Sequence, residues 1–465
     1  MGSLSRDDAG QDARPQGYLA AGSGQRTVGE TSRGGSFLER AGAWFWCAAL
    51  LGIAARLTLA WTSGGTSDVM LWTQHAAGVS REGLSLHYTL ASQFNHPPPI
   101  AWLMARVWEW THDSKVSFAS AYRTLVALAD VGSAALLWFV LRGFSRRALC
   151  VASYLLAPVA LALAGQHGNT DAMIGTCLLA CILCLGHGRI ALAGALLGLS
   201  SWIKLPGLLV APAIAFTLPC RRAWLTFGGV AMLVASLGFV PSFLAAEHFA
   251  NQHAGEFPLE LNMMVERVFG YHGLYIRTSG HPPTFIFGLK NLLFRVFGHD
   301  PGHWPRLALW WLDLRAWPTV DRSRWVAYTA MLVLGFLRRR ERATVEIGAT
   351  LALSYALFYG LVETCTFQYF AWSMALWMLL PPMAALVTHV VGGGFVYATY
   401  AYLCRDPWLI KPWDFAGHAN WPAWLTVWRD AANLTFLLLG ALALTNALRC
   451  FANPRQRPGK VSEAH

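Results

Sequence analysis

The stretch GGTSDVMLWTQHAAG, residues 64–78, holds one acid, Asp68, and one other side chain that titrates near neutrality, His75. Further along come His96 beside three prolines, Arg123, Gln166, His167, Asp171 and Lys204, then Arg267, Tyr271, His272 and Arg277. A carboxylate within hydrogen-bond reach of a hydroxyl takes its proton. Cations beside a developing negative charge stabilise it. One acid with several cations therefore suffices for a displacement that moves a single proton. Each residue also has a plainer reading. His75 and His96 suit a membrane–water boundary, and Asp171 follows Asn169-Thr170 where a helix N-cap belongs. Arg123 and Asp130 share a helical face and suit an ion pair with each other.

The elements that must position these groups are membrane helices. Of 465 residues, 55% are hydrophobic and 13% charged, with 22 Trp and 25 Phe. A soluble domain carries about 25% charged residues. Apolar runs recur along the chain near the length of roughly 20 residues that spans a bilayer. The alternating pattern of an outer-membrane barrel is absent. The net charge of +11 lies in short loops and at the ends: Arg142, Arg146 and Arg147; Arg221 and Arg222; Arg338, Arg339, Arg340 and Arg342; Arg449, Arg455, Arg457 and Lys460. That is the pattern of cytoplasmic loops and no nucleic-acid footprint. Nine cysteines, mostly inside apolar runs, form no disulfide framework or zinc spacing. Cys177, Cys181 and Cys184 read as small packing residues on one helical face. Residues 1–40 are polar and read as a disordered tail, too long for the charged start of a signal peptide.

Spans are expected near 41–61, 119–141, 148–164, 172–187, 190–203, 205–218, 223–244, 325–337, 343–361, 368–388, 391–404 and 424–449. With both termini cytoplasmic, every basic cluster falls inside, and the candidate residues converge on the outer face. Ionisable groups near a bilayer are costly to keep, which gives that convergence weight. The run LAGALLGLSSWIKLPGLLVAPAIAFTL is read as two short helices meeting near Lys204, since one crossing would place Arg221 and Arg222 outside. Each helix would be about 21 Å long against a core of roughly 30 Å, so Lys204 should lie at or below the outer surface and need a partner. Residues 97–112, with Trp102, Trp108 and Trp110, read as an interfacial helix. Residues 282–324 are Trp-rich and broken by prolines, either surface helices or an extra pair of spans.

The order of these motifs resembles the GT-C superfamily of integral-membrane glycosyltransferases, which use polyprenyl- or dolichyl-phosphate sugars. The likeness covers about residues 41–280, with weaker echoes to 380. Ser67-Asp68 with Trp72 matches the superfamily's catalytic acid in the first outer loop. Asn95-His96-Pro97-Pro98-Pro99 resembles the element that closes that loop in N-glycan glucosyltransferases and related mannosyltransferases. Tyr122-Arg123 through Val126 resembles their second span, and Gly165-Gln166-His167-Gly168-Asn169 their next outer loop. Ala193-Gly194 through Leu205-Pro206 looks like the Gly-rich helix leading to a lysine. Arg267 through Leu274 looks like a later outer-loop motif. Gln368-Tyr369-Phe370-Ala371-Trp372 resembles a "QYxxW" element of bacterial members. The His-Glu-Lys-type element of the glucosyltransferases is absent around residues 363–370, which weakens the expectation of glucose on a dolichol carrier.

The resemblance implies an all-α polytopic membrane protein of about 12 spans (12–14), with interfacial helices in its first outer loop. The implied organisation is a tail (1–40), a transmembrane module (41–280) whose outer loop 62–118 is catalytic, a variable module (281–449) and a second tail (450–465). Asp68 would be the base; Lys204, Arg277, Arg123 and Arg267 would hold the donor phosphate. His75, His96, Gln166, His167, Asp171, Tyr271 and His272 would line the sugar or acceptor. Attack on a β-linked donor would give an α-linked product. No cofactor is required: Lys and Arg can hold a monophosphate. A cation shared by Asp68 and Asp171 is the alternative if they approach closely. Expected partners are a polyprenyl- or dolichyl-phosphate sugar, a glycan or lipid-linked acceptor and the bilayer. Mannose is a guess by resemblance, and a bacterial inner membrane is favoured over the endoplasmic reticulum. Two rivals stand beside this reading. One is a secondary transporter using Arg56, Asp130 and Lys204, although the SWIKLP break has no second copy of the kind transporters carry. The other is a non-catalytic scaffold of the same shape.

Overall fold

The computed structural model describes residues 42–91, 94–252, 268, 286–297, 322–362, 365–413 and 421–453. The first apolar run forms α1 (Ala43–Thr62). A short helical unit follows: α2 (Ser67–Glu82), α3 (Leu84–Leu90) and α4 (Pro98–His112). The long α5 (Phe118–Val140) starts where Ser117 Oγ accepts from the Ser120 backbone N–H, a local N-cap. Next come α6 (Arg147–Leu155), α7 (Pro158–His167), α8 (Asp171–Gly186), α9 (Ile190–Ile203), α10 (Leu205–Thr217) and α11 (Arg221–Gln252). The C-terminal part holds α12 (Leu289–Phe297), α13 (Arg322–Leu337), α14 (Thr344–Leu361), α15 (Pro382–Cys404) and α16 (Ala423–Ala452). A two-residue antiparallel pair, β1 (Ile286–Phe287) with β2 (Cys365–Thr366), ties the start of α12 to the segment after α14.

This is a helical membrane protein. Among the described residues, six helices are long and apolar enough to cross a bilayer: α1, α5, the Arg221–Val240 part of α11, α14, α15 and α16. The pair α6 and α7, bent by 42° where Pro158 interrupts the backbone ladder, would make a seventh. Four apolar helices are shorter: α8, α9, α10 and Ser323–Leu337. Large apolar side chains face outward along the spans, among them Leu50, Leu51, Met232, Leu233, Leu438 and Leu442. Lipid rather than water satisfies such a surface. Gly194 and Gly198 on α9 let α11 come so close that a Cβ on either would run into the carbonyl oxygens of Phe227 and Ala231. Close approach through small residues is how membrane helices gain packing energy.

Three sequence expectations need correction. The span expected at 368–388 is not a helix. Phe367–Trp372 and Leu376–Leu379 are 3-10 turns, and Pro381-Pro382 then begins α15. Residues 369–380 are buried throughout. Non-helical backbone at membrane depth is tolerated where protein surrounds it. Second, the separate span at 391–404 is the second half of α15, because Thr388–Gly393 winds as a π-turn and does not break the helix. Third, Asp130 does not pair with Arg123. Its carboxylate takes Arg56 Nε at 2.7 Å and the Tyr154 hydroxyl, and Arg56 also donates to the carbonyls of Gly52, Leu155 and Tyr154. The neighbouring helices α1 and α6 outcompete a residue two turns away on the same helix. The helix at residues 97–112 is present as α4, with Trp102 and Trp110 exposed and Ile100, Met104 and Val107 buried.

Candidate active site

Asp68 stands in the first turn of α2, where a helix N-terminus favours negative charge. The loop leading to it turns at Gly65, whose φ is +73°. The Asp68 side chain is 33% exposed, which leaves it reachable. Its Oδ2 accepts a hydrogen bond from Gln368 Nε2 at 3.2 Å. Nε2 of the wholly buried His167 lies 3.1 Å from the same oxygen, close but off the line of a good hydrogen bond. Burial pushes the Asp68 carboxyl up, but His167, then Gln368 and the Lys204 charge, hold it below its usual range. Asp68 is thus ionised at neutral pH.

His167 ends the π-wound part of α7, and its Nδ1 lies 2.5 Å from the Tyr400 hydroxyl. The rings of Trp72, at 5.2 Å, and Trp413, at 5.6 Å, flank it. The chain then turns through Gly168 at φ +67°. A Cβ there would collide with the Arg123 side chain, so this turn needs glycine twice over. Asn169 Oδ1 accepts from the Asp171 backbone N–H at 2.9 Å. Asn169 therefore does the capping, and the Asp171 carboxylate is free for another task. It is fully buried, and Lys204 Nζ lies 2.8 Å from its Oδ1. Neither Asp171 oxygen has an aligned hydrogen bond among the described residues.

Lys204 sits at the break between α9 and α10 in extended backbone, φ −162° and ψ 153°. The following Pro206 bars a continuous helix. Its ammonium lies 6.0 Å from the centre of the Tyr369 ring. Two segments now tie carboxylate and ammonium into one site. His167 and Asp171 flank one turn and reach Asp68 and Lys204 respectively. The adjacent Gln368 and Tyr369 do the same from the far part of the chain. Tyr369 also lines a shallow, narrow cleft with Pro206, Leu209, Arg324, Tyr328, Phe358 and Trp372.

Other candidate residues have different surroundings. Arg123 spends its guanidinium on Ser63 and on the carbonyls of Gln166 and Ala119, locking the loop before Asp68 to the end of α7. Gln166 is buried, its Nε2 3.4 Å from Cys404 Sγ. His96 is buried against Trp72 and Phe94, and its carbonyl accepts the Tyr88 hydroxyl. His75 belongs to a second cluster: its Nδ1 is 3.0 Å from His87 Nε2, with Phe94 packed on both rings and Glu82 on the other side of His87. Burial and the His87 charge lower His75 to about 4. Arg267, Tyr271, His272 and Arg277 lie outside the described residues. No group of three or more His, Cys, Asp or Glu able to hold a metal occurs among the described residues. Sequence reasoning passed over Tyr400, which lies in the apolar run GFVYATYAYLC with nothing local to mark it.

No protein-family model matches the chain, and the search of curated proteins finds no match.

Proposed function

We propose that this protein is an inverting glycosyltransferase of the GT-C type, moving a hexose from a polyprenyl phosphate to an acceptor hydroxyl. The observation that carries this reading is Asp68: a reachable, ionised carboxylate with one oxygen engaged, gathered with His167, Gln368 and Lys204 from distant parts of the chain. The acceptor oxygen attacks the anomeric carbon, and its proton passes to Asp68. The bond from that carbon to the phosphate oxygen breaks, and its electron pair leaves on the phosphate. Lys204 meets the charge that grows there. The carbon inverts, so a β-linked donor yields an α-linked product. The buried Asp171 oxygens suit sugar hydroxyls that would complete their hydrogen bonding.

Twelve crossings fit the chain if the shorter helices and the buried 3-10 segment each count as one. That segment runs from Gln368, at Asp68, to Leu380, whose carbonyl accepts from Arg146 at the start of α6. On this reading Asp68 faces the outside of a bacterial inner membrane and both termini are cytoplasmic. The sugar is mannose by resemblance alone. Arg56 and Asp130 are fully buried and spent on each other, on Tyr154 and on backbone carbonyls, which argues against their use as a transporter's proton path.

The experiment is to incubate purified protein with labelled polyprenyl-phosphate mannose and extracted cell glycans. Asp68→Asn should lower label transfer by about 10²–10⁴ while donor binding persists. Transfer at the wild-type rate by that variant rejects the reading. So does substrate movement across vesicles without transfer.

A further inference from the structure

A neutral imidazole carries one donor and one acceptor, and the partner of one nitrogen decides the role of the other. His167 is wholly buried, with Tyr400 at Nδ1 and Asp68 at Nε2. The rings of Trp72, Trp413 and Phe367 enclose this pair. We propose that Tyr400 is a positioning residue for the base. Its hydroxyl donates to Nδ1 and holds His167 as the Nε2–H tautomer, so that His167 and Gln368 fill Oδ2 of Asp68 and leave Oδ1 to meet the acceptor. The chemistry rests on the glycosyltransferase reading; the tautomer does not.

The opposite tautomer would point a nitrogen lone pair at a carboxylate oxygen 3.1 Å away, two acceptors face to face. The Nε2–H form replaces that repulsion with a charge-assisted hydrogen bond. An imperfect line of this kind is usual for catalytic contacts, which tighten in the complex with substrate. Among the described residues, the titratable and charged groups around His167 are Asp68 from α2, Tyr400 and Cys404 from α15, Asp171 across the turn, Lys204 at the α9–α10 break, and Arg123 through the Gln166 carbonyl. Donation by His167 favours the Asp68 carboxylate over its protonated form, in line with the downward shift of that group.

The test uses the full chain in nanodiscs with labelled polyprenyl-phosphate mannose. Losing a donor raises the Asp68 pKa, so the acid limb of kcat moves to higher pH. His167→Leu should move it by about one unit, and His167→Gln, which keeps an N–H donor, should restore it. Tyr400→Phe should move the limb by roughly half a unit with KM unchanged, since one polarising bond is lost. In the His167→Gln background Tyr400→Phe should move nothing, because an amide N–H has no tautomer to set. An equal effect in both backgrounds would mean packing alone and overturn the proposal. A second measurement needs no substrate. In ¹⁵N-histidine spectra, wild type minus His167→Gln should leave one neutral ring protonated at Nε2. A ring protonated at Nδ1 overturns the proposal even if Asp68 proves catalytic, and the expected ring supports it even if Asp68 does not.

Discussion

Arg56 and Asp130 meet with both side chains at 0% exposure, whereas Lys204 meets Asp171 with its own side chain at 10%. In the first pair every strong group is used. Arg56 donates to three carbonyls as well as to Asp130, and Asp130 takes Tyr154 too. In the second, the Asp171 oxygens carry no aligned hydrogen bond among the described residues, and an aromatic ring replaces further polar partners for Lys204. A buried charge is tolerable when its geometry and hydrogen bonding are complete. A pair left incomplete keeps bonding capacity for something else. The difference separates a group that holds helices together from one that can receive a substrate.

Four experiments press on that contrast, beginning with the largest effect. Asp130→Asn leaves Arg56 charged and underpartnered, and should cost about 3–5 kcal/mol of stability, read as a lower thermal midpoint in detergent. Arg56→Met with Asp130→Leu should recover most of that loss; if it does not, the first pair is more than a clasp. Lys204→Met should lower sugar transfer by about 10²–10³, and, because it leaves the buried Asp171 carboxylate without its cation, it should also lower the midpoint. A large drop in stability with intact transfer would put the two pairs in one class. Asp171→Asn keeps the shape but loosens the hold on Lys204, and should reduce transfer roughly tenfold, mostly through KM, as steady-state kinetics would register.

The smallest effect concerns His75, where a buried polar cluster is sensitive to pH. Its folded pKa, about 4, lies below the ordinary value of 6.5. Between those values the unfolded chain binds more protons, so stability falls as pH drops through the window and is fully present above 6.5. Amide protection across residues 67–90, measured against the intrinsic exchange rate at each pH, should therefore fall between pH 6.5 and 4. His75→Phe should flatten that response. Unchanged protection would show that the His75–His87 contact contributes nothing to holding α2 and α3.

Some of this could be read directly from the chain. Asp68 falls just past the first apolar run, and Pro206 announces the break at Lys204 because proline cannot continue a helical ladder. Both are local facts. The stretch FQYFAWSMALWMLL misleads because hydropathy reports burial, not the hydrogen-bond pattern. It is buried as a helix would be, yet it winds as 3-10 turns inside the protein. Arg123 and Asp130 mislead for a related reason. A shared helical face does not say which neighbouring helix supplies the better partner, and for Asp130 that was Arg56.

The amino-acid order alone determined a helical membrane protein, the placement of one acid at the head of α2, and a lysine at a forced break. These follow from apolar run length and backbone chemistry, which act within a few residues. Only the tertiary structure decided that Gln368, 300 positions away, reaches Asp68, that Tyr400 meets His167, and that Asp171 faces Lys204. Those meetings depend on how each helix is rotated and packed against its neighbours, and no local pattern encodes that.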